Sequence, residues 1–240
     1  THFHADFVSG HIDLSKETGA PIIFGPGAKA NYEIRNVKDN EILPLGEVKI
    51  KVLHTPGHTP ESVSYLLLDK DSRPNALFSG DTLFVGDVGR PDLLGGKMTK
   101  EELASMMYDS LNQKIKILPD DVIVYPGHGA GSACGKNISK ETSSTIGKQK
   151  QTNYALKEMS RDDFVSVVTE GLKAPPAYFP FDAVKNKSGY PSLSEILKKS
   201  LIPLSPKEFS SKMNQGYFVL DTRKAEIFAK GFIKGAINIG

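Results

Sequence analysis

The sequence predicts an α/β or α+β sandwich, because short β-branched runs alternate with segments of helical periodicity. Each predicted strand is bounded by Gly, Pro or Asp. The predicted strands span residues 21–24, 48–53, 62–68, 76–78 and 122–125. With 240 residues, 39% of them hydrophobic, the chain is long enough for one large domain and a smaller piece.

The helices are predicted from capping and spacing. A capping-box pattern at Thr99 and Glu102, followed by apolar residues at helical spacing, predicts an amphipathic helix over residues 100–112. Two further helices are predicted over residues 140–159 and 161–172. The remaining segments are an irregular stretch, a linker with one helical stretch, and a strand followed by a helix. The irregular stretch spans residues 173–192, the linker spans residues 193–206, and the strand spans residues 217–220, with the helix after residue 223.

Composition limits the classes of partner. The 30 basic and 28 acidic residues give a net charge of +2, so we expect neither a nucleic acid nor a membrane as partner. No apolar run approaches the roughly 20 residues of a membrane helix. The single cysteine, Cys134, excludes an internal disulfide and suits a reducing compartment, so we expect a cytoplasmic protein. The sequence leaves the oligomeric state open, and a homo-oligomer is compatible with it.

Four segments carry His or Asp at a strand end or beside Gly. The ligands of zinc, iron and manganese are commonly imidazole and carboxylate groups, and a neighbouring Gly allows the tight turn that brings such groups together. A lone histidine is usually a surface or core residue, which is our interpretation of His11 and His54. The candidate ligands are His2, His4, Asp6, His58, Asp81 and His128.

The order of these four segments resembles the metallo-β-lactamase superfamily over about residues 1–200. The resemblance implies an α+β fold, an αββα sandwich with the metal at one edge of its sheets. It also implies a strand that leads into residue 1. The chain begins inside the first motif without an initiator Met, so we interpret it as a fragment that lacks the N-terminal strands of the sandwich.

Phe7 departs from the usual family motif, His-x-His-x-Asp-His, at its last position. In binuclear zinc hydrolases of the superfamily, such as glyoxalase II, that histidine helps to hold the second metal. A phenylalanine has no lone pair to donate, so we expect one metal per site. The residues within and beside these motifs then resemble those of the persulfide dioxygenase branch of the superfamily. That likeness rests on residues 1–6, 55–62, 80–84 and 89–92.

The persulfide dioxygenase resemblance implies one Fe(II) held by His2, His58 and Asp81. Two histidines and one carboxylate leave coordination positions open, as non-haem iron oxygenases require. The implied reaction converts a low-molecular-weight persulfide, R-S-SH, with O2 and water into sulfite and thiol. The carrier thiol stays open among glutathione, coenzyme A and bacillithiol. The remaining candidates would orient ligands or substrate, or hold a second metal; they are His4, Asp6 and His128.

Two alternatives to the dioxygenase stay open. One is a zinc-dependent thioester hydrolase of the glyoxalase II type, against which Phe7 argues. The other is a non-catalytic sulfur-carrier module, in which the site binds a persulfide without turning it over.

Three further residues have alternative interpretations. Arg90 could contact a substrate carboxylate or phosphate, or could form an ion pair with Asp92 that fixes a loop. Cys134 could handle a persulfide, or could be a buried and inert thiol.

The end of the chain resembles the start of a rhodanese domain, in residues 218–223 and 231–238. A typical rhodanese has His and Pro where this chain has Phe232 and Lys234, and its catalytic cysteine loop lies further on. A generic βα unit is the alternative. We therefore predict two domains: an N-terminally truncated metallo-β-lactamase-like domain over residues 1–200, and a partial α/β rhodanese-like segment over residues 205–240.

Overall fold

The computed structural model describes residues 1–93 and 98–240. The chain divides into two compact units, Thr1–Tyr190 and Pro191–Gly240. The domain assignment made from the sequence stays a prediction. Within the described part of the chain, no helix combines the length and the apolar character that crossing a membrane requires.

The first unit is built on a six-stranded sheet. Its strands lie in chain order from one edge to the other, and all neighbours are antiparallel except β6 and β7, which are parallel. The strands are β3 (Ile42–Leu45), β4 (Val48–His54), β5 (Val63–Leu68), β6 (Pro74–Gly80), β7 (Ile123–Pro126) and β8 (Ser144–Thr145). Because β6 and β7 are parallel, their carboxyl ends lie at the same edge of the sheet.

A smaller layer lies near the N-terminus of the first unit. Helix α1 (His11–Thr18) precedes a parallel pair of short strands, β1 (Ile23–Phe24) and β2 (Arg35–Asn36). Phe3 packs with its ring stacked 4.2 Å from that of Phe24. This packing holds the first motif of the chain against β1.

Helix α2 (Lys100–Ser110) confirms the predicted helix and its capping box, and a π-helical turn at Leu111–Ile115 extends it. The hydroxyl of Thr99 accepts from the Glu102 amide, while the Glu102 carboxylate accepts from the Thr99 amide. The apolar face of α2 packs into the main core together with the buried residues of β6 and β7. The hydrophobic effect thus fixes α2 beside the ligand-bearing edge.

Two sequence expectations for residues 140–192 are wrong. The helix predicted over 140–159 is shorter, because residues 144–145 pair with β7 as β8; it consists of α3 (Ile146–Thr152) and a 3-10 turn at Tyr154–Leu156. The stretch expected to be irregular contains α5 (Phe179–Ser188), whose Pro180 lies in the first turn, where a missing amide costs nothing. Between them, α4 (Arg161–Thr169) agrees with its prediction apart from its last turn.

The second unit contains three helices and one pair of short parallel strands. They are α6 (Leu193–Ser200), α7 (Pro206–Asn214), β9 (Leu220–Asp221), α8 (Ala225–Phe228) and β10 (Ile237–Asn238). The strand expected over 217–220 begins later, because the Tyr217 amide still donates to the Lys212 carbonyl at the end of α7. The rhodanese resemblance of this unit stays a prediction.

Candidate metal centre

The six candidate ligands converge at the edge of the sheet where β6 and β7 end. The innermost group is His2, His58 and Asp81, all of them buried. The Oδ2 atom of Asp81 lies 3.9 Å from His2 Nε2 and 3.5 Å from His58 Nε2. Ligand atoms about 2.0–2.3 Å from one ion lie roughly 3–4 Å apart, so this spacing suits a shared cation.

Asp81 is positioned by the parallel strand pair. It follows Gly80, the last residue of β6, whose φ of +54° favours glycine. The Gly127 amide donates to the Gly80 carbonyl over 2.8 Å, which ties the end of β7 to the end of β6. A Cβ atom on Gly127 would lie 2.5 Å from Asp81 Oδ1, so only glycine fits beside the carboxylate here. The glycines that flank the predicted ligands therefore allow this close approach.

His58 is oriented by the backbone of Arg90. Its Nδ1 atom lies 2.8 Å from the Arg90 carbonyl, to which a protonated Nδ1 donates. That bond fixes the tautomer and leaves the lone pair of Nε2 directed towards Asp81. The arrangement is the usual one for a histidine that binds a metal through Nε2.

The loop that carries the first motif is held by Asn186, a residue of α5 that the sequence analysis did not identify. Its side-chain amide donates to the carbonyls of His4 and Phe7 over 2.9 and 2.7 Å, and its oxygen accepts from the Ser9 amide over 2.9 Å. Asn186 is 1% exposed. No local sequence signal marks this residue, because its partners lie about 180 positions away.

A second group of side chains lies on the more exposed side of Asp81. His128 Nε2 lies 3.3 Å from Asp81 Oδ2 and 3.4 Å from Asp6 Oδ2. Two overlapping sets here have ligand atoms close enough to share a cation: His4, Asp81 and His128, and Asp6, His128 and Cys134. The ring of Phe7 is 43% exposed and stacks on His4 at 4.6 Å, so solvent reaches the cluster from this side.

The electrostatics of the cluster keep His2, His4 and Asp81 in the form that binds a metal, and they favour a proton on His128. Burial lowers the pKa of His2 well below its usual value and that of His4 to about 4, so both imidazoles are neutral. Burial alone would raise the pKa of Asp81, but His2, His128 and His58 together hold it far below its usual range. Burial likewise opposes the charge of His128, yet Asp81 and Cys134 raise its pKa to about 10.

Several polar atoms of the cluster are buried without a hydrogen-bond partner. Burying such an atom without a partner costs roughly 1–3 kcal/mol, and more for a charged carboxylate. A cation that binds these atoms would offset that cost. The atoms are His4 Nδ1, Asp6 Oδ1, both carboxylate oxygens of Asp81, and His128 Nε2. Their donor chemistry, nitrogen and carboxylate oxygen around one point, fits a divalent transition metal.

Arg90 is engaged within the protein. Its guanidinium forms a two-point ion pair with Asp92, at 2.7 and 2.8 Å, and donates to the Lys173 carbonyl over 2.5 Å. The side chain is almost fully buried. Of the two interpretations drawn from the sequence, the loop-fixing ion pair is the one that this geometry favours.

Cys134 lies buried beside His128, with its backbone fixed to the same loop. Its carbonyl accepts from the Arg90 amide over 2.9 Å, and burial raises the pKa of its thiol. A protonated, buried thiol is poorly placed to attack a substrate.

The chain belongs to the metallo-beta-lactamase superfamily, a family of metal-binding enzymes, whose sequence profile matches residues 1–128. A probable hydroxyacylglutathione hydrolase of Schizosaccharomyces pombe is 35% identical over 144 residues, which are 60% of this chain and 52% of that protein. The chain spans about half the length of this relative and of two other similar hydroxyacylglutathione hydrolases. Their hydrolase names support the glyoxalase II alternative more directly than the dioxygenase.

Two solved structures are similar to this chain over most of its length. A metallo-beta-lactamase from Staphylococcus aureus subsp. aureus COL is 36% identical with a TM-score of 0.82, and the match covers 100% of this chain and 68% of that one. ETHE1 from Myxococcus xanthus is 30% identical with a TM-score of 0.64, over 78% of this chain and 74% of that one. Together with the family match, they confirm the predicted metallo-β-lactamase α+β fold.

Proposed function

We propose that the chain carries the site of an Fe(II)-dependent persulfide dioxygenase, which oxidises a low-molecular-weight thiol persulfide with O2 to sulfite and thiol. The observation that carries this proposal is the pairing of a buried His2–His58–Asp81 set with Phe7. The buried set supplies two imidazoles and one carboxylate on one side of the cation. Phe7 places an apolar ring where a further nitrogen donor would favour a binuclear hydrolase.

Iron bound by His2, His58 and Asp81 would supply open coordination positions and the redox chemistry that O2 activation needs. These donors suit iron, because burial keeps His2 neutral and the surrounding imidazoles keep Asp81 ionised. The hydrogen bond from His58 to the Arg90 carbonyl holds the ring in place. The protein thus contributes a rigid ligand set before any substrate arrives.

The side chains of the cluster become more exposed from the buried set of three towards Phe7, and this direction indicates where a substrate enters. The set of three is buried, whereas His4 and Asp6 are half-buried and Phe7 is exposed. We infer that the persulfide approaches past Phe7, with its terminal sulfur leading and its carrier outside. His4 and Asp6 then face the approaching sulfur and can orient it, which is a positioning role.

Oxygen uptake with the iron-loaded chain tests the proposal. We expect glutathione persulfide, or the corresponding coenzyme A or bacillithiol persulfide, to consume O2 and yield sulfite. A chain that binds iron at one equivalent yet consumes no O2 with any of the three contradicts it.

Thioester hydrolysis is the second candidate, and the hydrolase names of the curated relatives favour it. It would use zinc and water and would release thiol from S-lactoylglutathione without O2. The two activities are separated in one experiment: the same chain, loaded with iron or with zinc, is assayed for O2 uptake and for thiol release under nitrogen. Thiol release by the zinc form, without O2 uptake by the iron form, favours the hydrolase.

We propose that the second unit takes part in sulfur transfer. Its rhodanese resemblance suggests a partner domain for a persulfide-oxidising site, since both would handle sulfane sulfur. Full-length protein assayed for thiosulfate formation or cleavage tests this. A site that binds persulfide without forming sulfite would instead indicate the sulfur-carrier alternative.

A further inference from the structure

We propose that Asp87 is a positioning residue for His58, because its buried carboxylate fixes the loop that holds the Arg90 carbonyl in place. The dioxygenase proposed above uses His58 as a ligand and gives Asp87 no part. The role of Asp87 rests on that ligand assignment. It is measured first in the metal-free chain, so its failure is distinguishable from a failure of the dioxygenase to consume O2.

The Asp87 carboxylate is buried, at 0% exposure, and accepts four hydrogen bonds. Its Oδ2 atom accepts from the amides of Lys136 and Asn137 over 2.7 and 2.6 Å. Its Oδ1 atom accepts from the Val88 amide and the Tyr154 hydroxyl over 2.8 and 3.0 Å. Two donors therefore face each oxygen, and only a carboxylate accepts on both sides. An asparagine of the same shape would direct its own N–H donors at one of these pairs.

The loop that Asp87 holds also holds Arg90. The Arg90 amide donates to the Cys134 carbonyl over 2.9 Å. Residues 87–90 and 134–137 are thus tied together at both ends, by the Asp87 carboxylate at one end and by the Arg90 amide at the other. Because only two residues separate Asp87 from Arg90, releasing the first tie frees the backbone at the second.

The segment 87–90 lies directly against two of the proposed ligands. The Arg90 carbonyl accepts from His58 Nδ1 over 2.8 Å, and the Gly89 amide donates to the Asp81 carbonyl over 3.1 Å. A Cβ atom on Gly89 would collide with that carbonyl oxygen and would lie 3.0 Å from His58 Nδ1. A shift of this segment therefore turns the His58 ring, whose Nε2 atom lies 3.5 Å from Asp81 Oδ2.

The loop has a second anchor that does not involve Asp87. The side-chain ammonium of Lys136 donates to the carbonyls of Val167 and Glu170 over 2.6 and 2.5 Å, at the end of α4. We therefore expect the loss of the Asp87 carboxylate to shift the loop while the chain stays folded.

Proton NMR of the metal-free full chain tests the role. A His58 Nδ1 proton bonded to the Arg90 carbonyl should exchange slowly with solvent, and His58→Gln identifies its signal among those of the six histidines. In Asp87→Asn we expect this proton to exchange faster and the affinity for cobalt(II) to fall by about tenfold or more. Asp69→Asn is the matched control, because Asp69 also accepts two backbone amides, in the turn between β5 and β6, and neither quantity should change.

Gly135→Ala perturbs the same contact from the loop side, and it decides the test if Asp87→Asn does not fold. Its Cβ atom would lie 3.0 Å from Asp87 Oδ2, so we expect the same two effects. Tyr154→Phe removes a donor to Asp87 that lies outside the loop, so it should lower stability without either effect. Slow exchange of the His58 proton in both Asp87→Asn and Gly135→Ala, or equal effects in Asp69→Asn or Tyr154→Phe, overturns the proposal.

Discussion

Replacing Asn186 by alanine tests whether α5 holds the loop that carries the first motif. The substitution leaves three backbone groups without their partner: the carbonyls of His4 and Phe7 and the amide of Ser9. At about 1 kcal/mol for each lost hydrogen bond, we expect the free energy of unfolding to fall by about 3 kcal/mol. For a unit of this size, that corresponds to a melting temperature lower by roughly 6–12 °C.

Asn36 offers a matched control. Its side-chain amide also donates to two backbone carbonyls, those of Gly25 and Ala28, both at 3.0 Å. Asn36 is exposed, so water replaces its bonds, and we expect Asn36→Ala to cost less than about 1 kcal/mol. Urea unfolding and thermal melting of both variants give the comparison. Equal losses, or a smaller loss for Asn186→Ala, would refute the reasoning.

Three further predictions concern the metal centre and its support. Asp81→Ala should abolish iron binding, whereas His4→Ala should retain part of it; equal loss, measured by metal analysis, would mean that the division between ligands and supporting residues is wrong. Gly127→Ala should weaken metal binding at least tenfold, because the added Cβ would displace Asp81, whereas Gly129→Ala has open space around it and should leave binding unchanged. Isothermal titration with cobalt compares the two variants, and similar affinities would contradict the close packing of Gly127 against Asp81. Arg90→Met should destabilise the chain by about 3 kcal/mol in urea, because it breaks a largely buried ion pair; unchanged stability with a raised KM would instead assign Arg90 to substrate binding.

The convergence of the candidate ligands could be predicted from the sequence because its signals are local. His58, Asp81 and His128 each follow a glycine, and His2, His4 and Asp6 form a His-x-His-x-Asp motif, so both features are visible without the tertiary structure. The strands that lead into Asp81 and His128 were predictable for the same reason, since residues 76–78 and 122–125 are short apolar runs. The fold then brings these segments to one edge, as the order of the motifs implied.

The supporting residues could not be predicted, because their partners are distant in the chain. Asn186 is one asparagine in a stretch that looked irregular, and it matters only because α5 packs beside the first motif. The partners of Arg90 could not be read from the sequence, because the Lys173 carbonyl lies far away in the chain. Likewise, β8 is too short to show a periodic pattern and is stabilised by pairing with β7.

The proposed ligands His2, His58 and Asp81 come from segments that are far apart in sequence, so a metal bound by all three would act as a reversible cross-link. An ion that binds only the folded chain stabilises it in proportion to the logarithm of its free concentration relative to its dissociation constant. The melting temperature of the first unit should therefore rise as metal is added and fall under a chelator. Resistance to unfolding becomes a measure of occupancy, even for a metal without a spectroscopic signal.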